Sequence, residues 1–207
     1  INGVGNLLTA QGWEVEGDAA TKEVLARVER ALAEEARVYR QKEAAAAQYI
    51  DRRIAALGQR GITVPDYQRE GALWLASHGA AVLGDVMGLG KTLQILLALP
   101  PGAAAVVFGK VAAKRAFRED VPRFRRLRLP GDPDPELIFL KGTSGFRWPQ
   151  PGQILVGSWA SLPEVNKAPP PPLGVILIAD EAHELKNPKA TRTQRFRALS
   201  HAVLHAA

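Results

Sequence analysis

Cysteine is absent from the 207 residues. Its absence excludes disulfides and thiolate metal sites, and it fits a reducing interior. No apolar run approaches the length that spans a bilayer. The opening INGVGNLLTAQGW has neither the basic start nor the apolar stretch of a signal peptide. A cytoplasmic protein with no membrane partner is therefore expected. No internal repeat breaks the chain into copies. What is present is 46% apolar residues and a net charge of +6, enough for a buried core. The mild basic excess makes polyanions such as nucleic acid plausible partners.

Three zones follow one another. Residues 1 to about 17 are glycine-bearing and irregular. From Asp18 to Leu57 the sequence is rich in Ala, Glu, Arg and Leu and contains neither Gly nor Pro. Val24, Leu25, Val28, Leu32, Ala36 and Tyr39 recur at three- and four-residue steps, which predicts one long amphipathic helix or a helical pair. Asp18 or Thr21 is placed to cap its start, and Gly58 follows its end. A packing arm or linker is the simpler reading of this helix; a partner-binding or coiled-coil role is the alternative. The division that results is a mostly helical segment over residues 1–60 and an α/β unit over 61–207.

From about Gly61 short apolar runs alternate with helical stretches. AAVLG (80–84), AAAVVFG (103–109), ELIFL (136–140), QILVGS (153–158) and LGVILIAD (173–180) read as strands. They are almost continuously apolar, as strands covered by helices on both faces should be. GKTLQILLAL, VAAKRAFREDVPRF and SWASLPEV read as the crossover helices between them, and the proline-rich LPGDPDP and NKAPPPP as loops. The alternation predicts an α/β fold with a doubly wound, mainly parallel sheet.

One stretch carries specific chemistry. GDVMGLGKT (84–92) stands between an apolar run and a helix. Gly88 and Gly90 allow a tight turn with backbone N–H groups pointing at phosphate oxygens, and the helix that follows adds the partial positive charge of its amino end. Leu89 lies inside that turn. Lys91 would reach the β- and γ-phosphates, and the Thr92 hydroxyl would ligate Mg²⁺. The competing reading is a glycine turn with an incidental lysine. A second motif, VILIADEAH, ends an apolar run on Asp180-Glu181. Asp180 would hold Mg²⁺ through water and Glu181 would act as general base, once the two strands are neighbours. His183 becomes a candidate for relaying nucleotide state.

DVMGLGKT, ADEAHELKNP and VPDYQREGALWL together resemble the first RecA-like lobe of helicase superfamily 2 proteins. More narrowly they resemble the Swi/Snf-type DNA-translocating ATPases, with Pro65, Tyr67, Gln68 and Trp74 in the adenine motif and Lys186-Asn187 after the acidic motif. The resemblance covers about residues 61–200. It implies a P-loop ATPase with ATP and Mg²⁺ as cofactors, Gln68 bonding the adenine, and double-stranded DNA as the track. It also implies a partner, the second RecA-like lobe that supplies an arginine finger. On that reading this chain is a piece of a longer ATPase that alone binds nucleotide weakly.

Two positions depart from the family pattern. Val86 replaces a usual glutamate, which bears on loop anchoring or on coupling to DNA. Gly109-Lys110-Val111 stands where a proline-alanine-serine turn is usual. Ser158 and Trp159 occupy the place of a serine–aromatic motif. Between Lys110 and Arg128 there are eight Lys or Arg residues against two acidic ones, a stretch that either neutralises phosphate or forms a solvated helix face. Lys110 and Lys114 are the better candidates for DNA contact; Arg123, Arg125, Arg126 and Arg128 are weaker ones. Two other functions compete: a non-catalytic DNA- or protein-binding module that keeps the fold, and a P-loop enzyme acting on a small molecule. The Ala- and Arg-rich composition suggests a GC-rich genome, and the resemblance without the family's usual nuclear-protein appendages leads to the expectation of a bacterial or phage source.

Overall fold

The computed structural model describes residues 19–205 apart from 87, 126–134 and 165–166. The irregular opening segment, Arg126, Arg128 and most of LPGDPDP lie outside the described residues, as do the side chains of Arg123 and Arg125. The elements run α1 (Ala19–Gly58), α2 (Asp66–Ser77), α3 (Lys91–Ala98), β1 (Ala105–Gly109), α4 (Val111–Arg125), β2 (Glu136–Phe139), β3 (Gln153–Ser158), β4 (Ile176–Ala179) and α5 (Thr191–His205). Two short 3₁₀ turns, Trp159–Ser161 and Ala182–Leu185, follow β3 and β4.

The four strands form one parallel sheet in the order β2-β3-β1-β4. All five residues of β1 are buried, because the alternation of side chains across a strand sends them into two separate cores. Val106 and Phe108 join Leu155, Trp159, Leu162 and Leu199 of α5 on one face. Ala105 and Val107 join Leu99, Phe117 and Val121 of α4, with Ile95 and Leu96 of α3, on the other. Helices therefore cover both faces, and the expected parallel α/β architecture is present. No described helix is long and apolar enough to cross a membrane.

Three local expectations change. AAVLG does not join the sheet: residues 81–86 are unpaired. Val82 is exposed, and Leu83 turns toward Gly71 of α2, where an added Cβ would lie 3.2 Å from its Cδ1. Of the run it is Leu83 that lies against α2, and the run does not pair. SWASLPEV is no crossover helix but a single 3₁₀ turn, closed by the buried Ser158 Oγ–Ser161 Oγ contact of 2.9 Å and followed at once by Pro163. α5, which the sequence pattern did not mark, is anchored through Leu199 and Phe196.

α1 is one continuous helix with two different halves. Ala46, Ile50 and Leu57 share a core with Ala72 of α2 and with Leu93, Leu97 and Ala98 of α3. Asp51 and Arg69 fasten the first two helices with a two-pronged ion pair, Nε–Oδ1 2.7 Å and Nη2–Oδ2 2.9 Å. Arg69 beside it holds the Asp51 carboxyl below the ordinary aspartate range. Toward the amino end, Val24, Val28 and Leu32 of the same apolar stripe are exposed.

The packed half also caps α3. Arg53 Nη1 donates to the carbonyls of Leu96, Leu97 and Leu99 at 3.3, 2.9 and 2.6 Å, and Tyr49 Oη donates to Ala98 O at 2.7 Å. The last carbonyls of a helix have no partner within it, and leaving them unpaired away from water costs about 1–3 kcal/mol each. The Arg53 cation at a helix carboxyl end is favoured by the helix dipole as well. Replacing Arg53 by Met keeps the apolar stem but removes the donors. We expect Arg53→Met to lower the unfolding free energy by about 2 kcal/mol and Tyr49→Phe by about 1 kcal/mol, measured by denaturant titration. No change in either would show that the cap contributes nothing.

Candidate nucleotide-binding site

The loop before α3 has the backbone that phosphate binding requires. Gly88 and Gly90 adopt φ of 90° and 71°, left-handed conformations that side chains rarely tolerate. Gly90 is the residue at which α3 begins, and no side chain caps that helix end, which leaves its amino terminus free to face an anion. Lys91 reaches back into the loop, its Nζ donating to Asp85 O at 3.0 Å and Val86 O at 3.1 Å. Thr92 stands in the first turn of α3. The valine at 86 contributes its carbonyl to this arrangement while its side chain points outward, 73% exposed.

Two glutamines hold the loop where a strand does not. Gln68 of α2 is buried and its Nε2 donates to Leu89 O at 3.0 Å. A Cβ on Gly90 would come within 2.4 Å of that nitrogen, so the glycine also makes room for Gln68. Gln94, fully buried on α3, donates from Nε2 to Asp85 Oδ2 at 2.8 Å. Gln94 is a residue that sequence reasoning missed. Its partner signal is Gly71, where a Cβ would lie 1.8 Å from Gln94 Oε1: a glycine inside a helix marks a close approach.

The acidic pair lies at the end of β4. Asp180 N donates to Phe108 O at 2.8 Å, which continues the β1–β4 ladder one residue past the strand. Gly109 stands opposite, and a Cβ there would meet Asp180 Cβ at 3.0 Å and Ala113 Cβ at 2.9 Å. Glycine at 109, a departure from the family pattern, is thus what lets the carboxylate approach β1. Burial, and then the neighbouring Glu181 carboxylate, push the Asp180 carboxyl above the ordinary aspartate range; Lys91, the Glu181 N–H and Lys110 pull it back.

Glu181 has φ 59° and is the one non-glycine residue with positive φ among the described residues. Such a backbone costs about 1–2 kcal/mol for an ordinary side chain. Its Oε2 lies 3.1 Å from His183 Nδ1. Beyond His183, Glu184 pairs through Oε1 with Lys110 at 3.3 Å and through Oε2 with Arg192 at 3.1 Å. Hydrogen bonding to Lys110, with the charges of Arg192 and His183, holds the Glu184 carboxyl below the ordinary glutamate range against a smaller opposing effect of burial.

These last residues border a cleft of about 570 Å³ at the carboxyl ends of β1 and β3, lined by Gly109, Lys110, Ser158, Trp159, Glu184 and Arg192 among others. None of the described residues of 84–92 lines it, so it is separate from the glycine loop. Ser158 and Trp159 border it but are themselves buried, Trp159 packing edge-on against Phe196 with ring centroids 5.8 Å apart. Lys114 donates to Leu140 O at 2.6 Å and does not line the cleft. Arg192, the second cation there, was not marked by its sequence context.

The residues present fit a magnesium nucleotide. Left-handed glycines, an uncapped helix end and Lys91 suit phosphates, and the hard oxygens of Thr92 and Asp180 suit Mg²⁺. Among the described residues no group of three or more His, Asp or Glu converges as a metal site. The ion would thus depend on these two side chains and on the phosphates themselves, as is usual for Mg²⁺.

No family model matches the chain, and no solved structure matches it. Among curated proteins it is similar to the ATP-dependent helicase rhp16 of Schizosaccharomyces pombe, 38% identical over 63 residues. That stretch is 27% of this chain and 7% of the yeast protein.

Asp180 is a test of whether this site is built against stability. Neutralising it in an isosteric way removes both the desolvation and the repulsion from Glu181. Asp180→Asn should raise the thermal midpoint, with a gain of up to about 1 kcal/mol after allowance for solvent screening. It should also abolish Mg²⁺-dependent tightening of nucleotide binding. A lower midpoint would show that Asp180 is a structural carboxylate instead.

Proposed function

We propose that the chain is the ATP-binding lobe of a helicase-like, Swi/Snf-type DNA-dependent ATPase that tracks double-stranded DNA and completes its active site with a second RecA-like lobe. The observation that supports this best is a left-handed glycine loop leading through Lys91 into the uncapped amino end of α3, in one fold with a half-buried acidic pair, Asp180-Glu181, at the end of β4. The partial similarity to an ATP-dependent helicase agrees with it.

Each residue then has a part. The backbone N–H groups of residues 88–92 and the amino end of α3 receive the phosphates, and Lys91 exchanges its loop carbonyls for phosphate oxygens. Gln68, already fixed against Leu89, stands beside the loop to read the adenine. Thr92 and Asp180 hold Mg²⁺, which when bound neutralises phosphate charge. Glu181 orients and deprotonates the attacking water, and its left-handed backbone aims the carboxylate away from the strand direction. In the cleft, Lys110 and Arg192 receive a DNA phosphate, while the buried Ser158 and Trp159 shape its floor. His183 connects the two regions.

A non-catalytic binding module on the same fold is the alternative, and loss of glutamate at 86 is its chief support. That support weakens if residue 86 acts through the carbonyl that Lys91 engages. Lys91→Ala should reduce ATP affinity at least about tenfold, since a charge-assisted phosphate contact contributes about 1.5–3 kcal/mol. In the full-length gene product, duplex DNA should stimulate hydrolysis and Lys91→Ala should abolish it. If DNA gives no stimulation and the variant matches the wild type, the ATPase reading fails.

A further inference from the structure

We infer that Glu184 is a carboxylate latch between the DNA cleft and the hydrolytic residue: it occupies the two cleft cations until a DNA phosphate displaces it, and then draws His183 away from Glu181. This inference rests on the ATPase reading above and concerns a position that reading leaves without a role.

The geometry is a chain of short steps. Glu184 carries one negative charge between Lys110 Nζ at 3.3 Å and Arg192 Nη1 at 3.1 Å. Its backbone carbonyl also accepts Arg192 Nε at 3.0 Å, so the guanidinium is gripped at two points. Both cations border the cleft beside the starts of α4 and α5, where backbone N–H groups favour an anion. Glu184 itself is only 21% exposed, against 51% for Lys110 and 45% for Arg192. It therefore sits behind the cations rather than in front of them, and a phosphate approaching from solvent meets the cations first.

On the other side lies His183. Its Nε2 is 3.6 Å from Glu184 Oε1, within ion-pair range but beyond a hydrogen bond, while its Nδ1 is 3.1 Å from Glu181 Oε2. The imidazole thus lies between the two carboxylates at ion-pair distance from both, nearer to the hydrolytic one. When a phosphate takes Lys110 and Arg192, Glu184 keeps its charge and loses its two nearest partners. The nearest remaining group is the imidazole, which donates to Glu184 in the tautomer that carries its proton on Nε2 and then has no proton on Nδ1 for Glu181. Closing 3.6 Å to hydrogen-bond length moves the ring away from Glu181 and leaves that carboxylate free for water.

Glu184 acts through other groups and is a positioning residue. Its test needs readouts that a structural role would not move. Glu184→Gln keeps the shape and removes the charge. Binding of a DNA duplex, followed by fluorescence anisotropy in the full-length protein, should tighten about 3- to 10-fold near 0.1 M salt. The slope of log affinity against log salt should steepen, since Lys110 and Arg192 are then available to displace counterions. The factor by which magnesium ATP changes duplex affinity should fall toward one, and duplex affinity and nucleotide affinity must show the same loss. Glu184→Asp, which restores the charge, should recover part of that factor.

Tighter binding without loss of coupling would overturn the latch, as would unchanged or weakened binding in Glu184→Gln. A wild type that binds no duplex, or binds ATP independently of Lys91, would instead remove the ATPase reading and the latch with it. A melting curve on each variant separates these outcomes from misfolding, and Arg192→Gln, which opens the same latch from the other side, must show the same reduced coupling.

Discussion

A helix of eight residues cannot hold itself, and α3 is that short. Both of its ends are needed, one as the floor of the phosphate loop and the other as the connection into β1. The carboxyl end is closed by Arg53 and Tyr49, reaching from a helix that precedes the loop by several turns of chain. The amino end is placed by Gln68 and Gln94. Because residues 81–86 do not pair in the sheet, the loop is held through α3, whose Ile95 and Leu96 pack beside β1, and through these side chains. The placement of this glycine loop is in this sense a product of α1 and α2 as much as of the sheet.

The amino end shows how few choices remain once this is so. Gln94 needs a cavity, and Gly71 provides it; Gln68 needs a close approach, and Gly90 provides it. Lys91 then finds the carbonyls of Asp85 and Val86 within reach because Gln94 has fixed the Asp85 side chain. At the other pole of the site the same device recurs: Gly109 admits Asp180 beside β1. Gln94, Gln68 and Asp180 each stand next to a glycine whose missing side chain is the space they use.

The parts of this arrangement legible in the sequence were those written as periodicity or as local motif. Continuous apolarity marked β1, β3 and β4, the three-and-four spacing marked α1, and the glycines with Lys91 and Thr92 marked the loop. The apolar run 80–84 misled, since a run that buries against a helix has the same composition as one that pairs in a sheet. Trp159 and Ser158 were marked by motif, but their depth was not, because burial of a strand end depends on α5 folding back over it. Gln94, Arg53, Glu184 and Arg192 carry no local signal at all. A glutamine or arginine on a helix reads as solvated until the partner that desolvates it is known, and here each partner is more than one element away or on a facing turn.

α1 is about 60 Å long at 1.5 Å per residue, yet only its second half is embedded. The embedded half grips the carboxyl end of α3 and the exposed half carries Val24, Val28 and Leu32 outward. The part of α1 that carries the Arg53 and Tyr49 donors is thus the part held by other helices, so the closure of α3 draws nothing from the exposed arm.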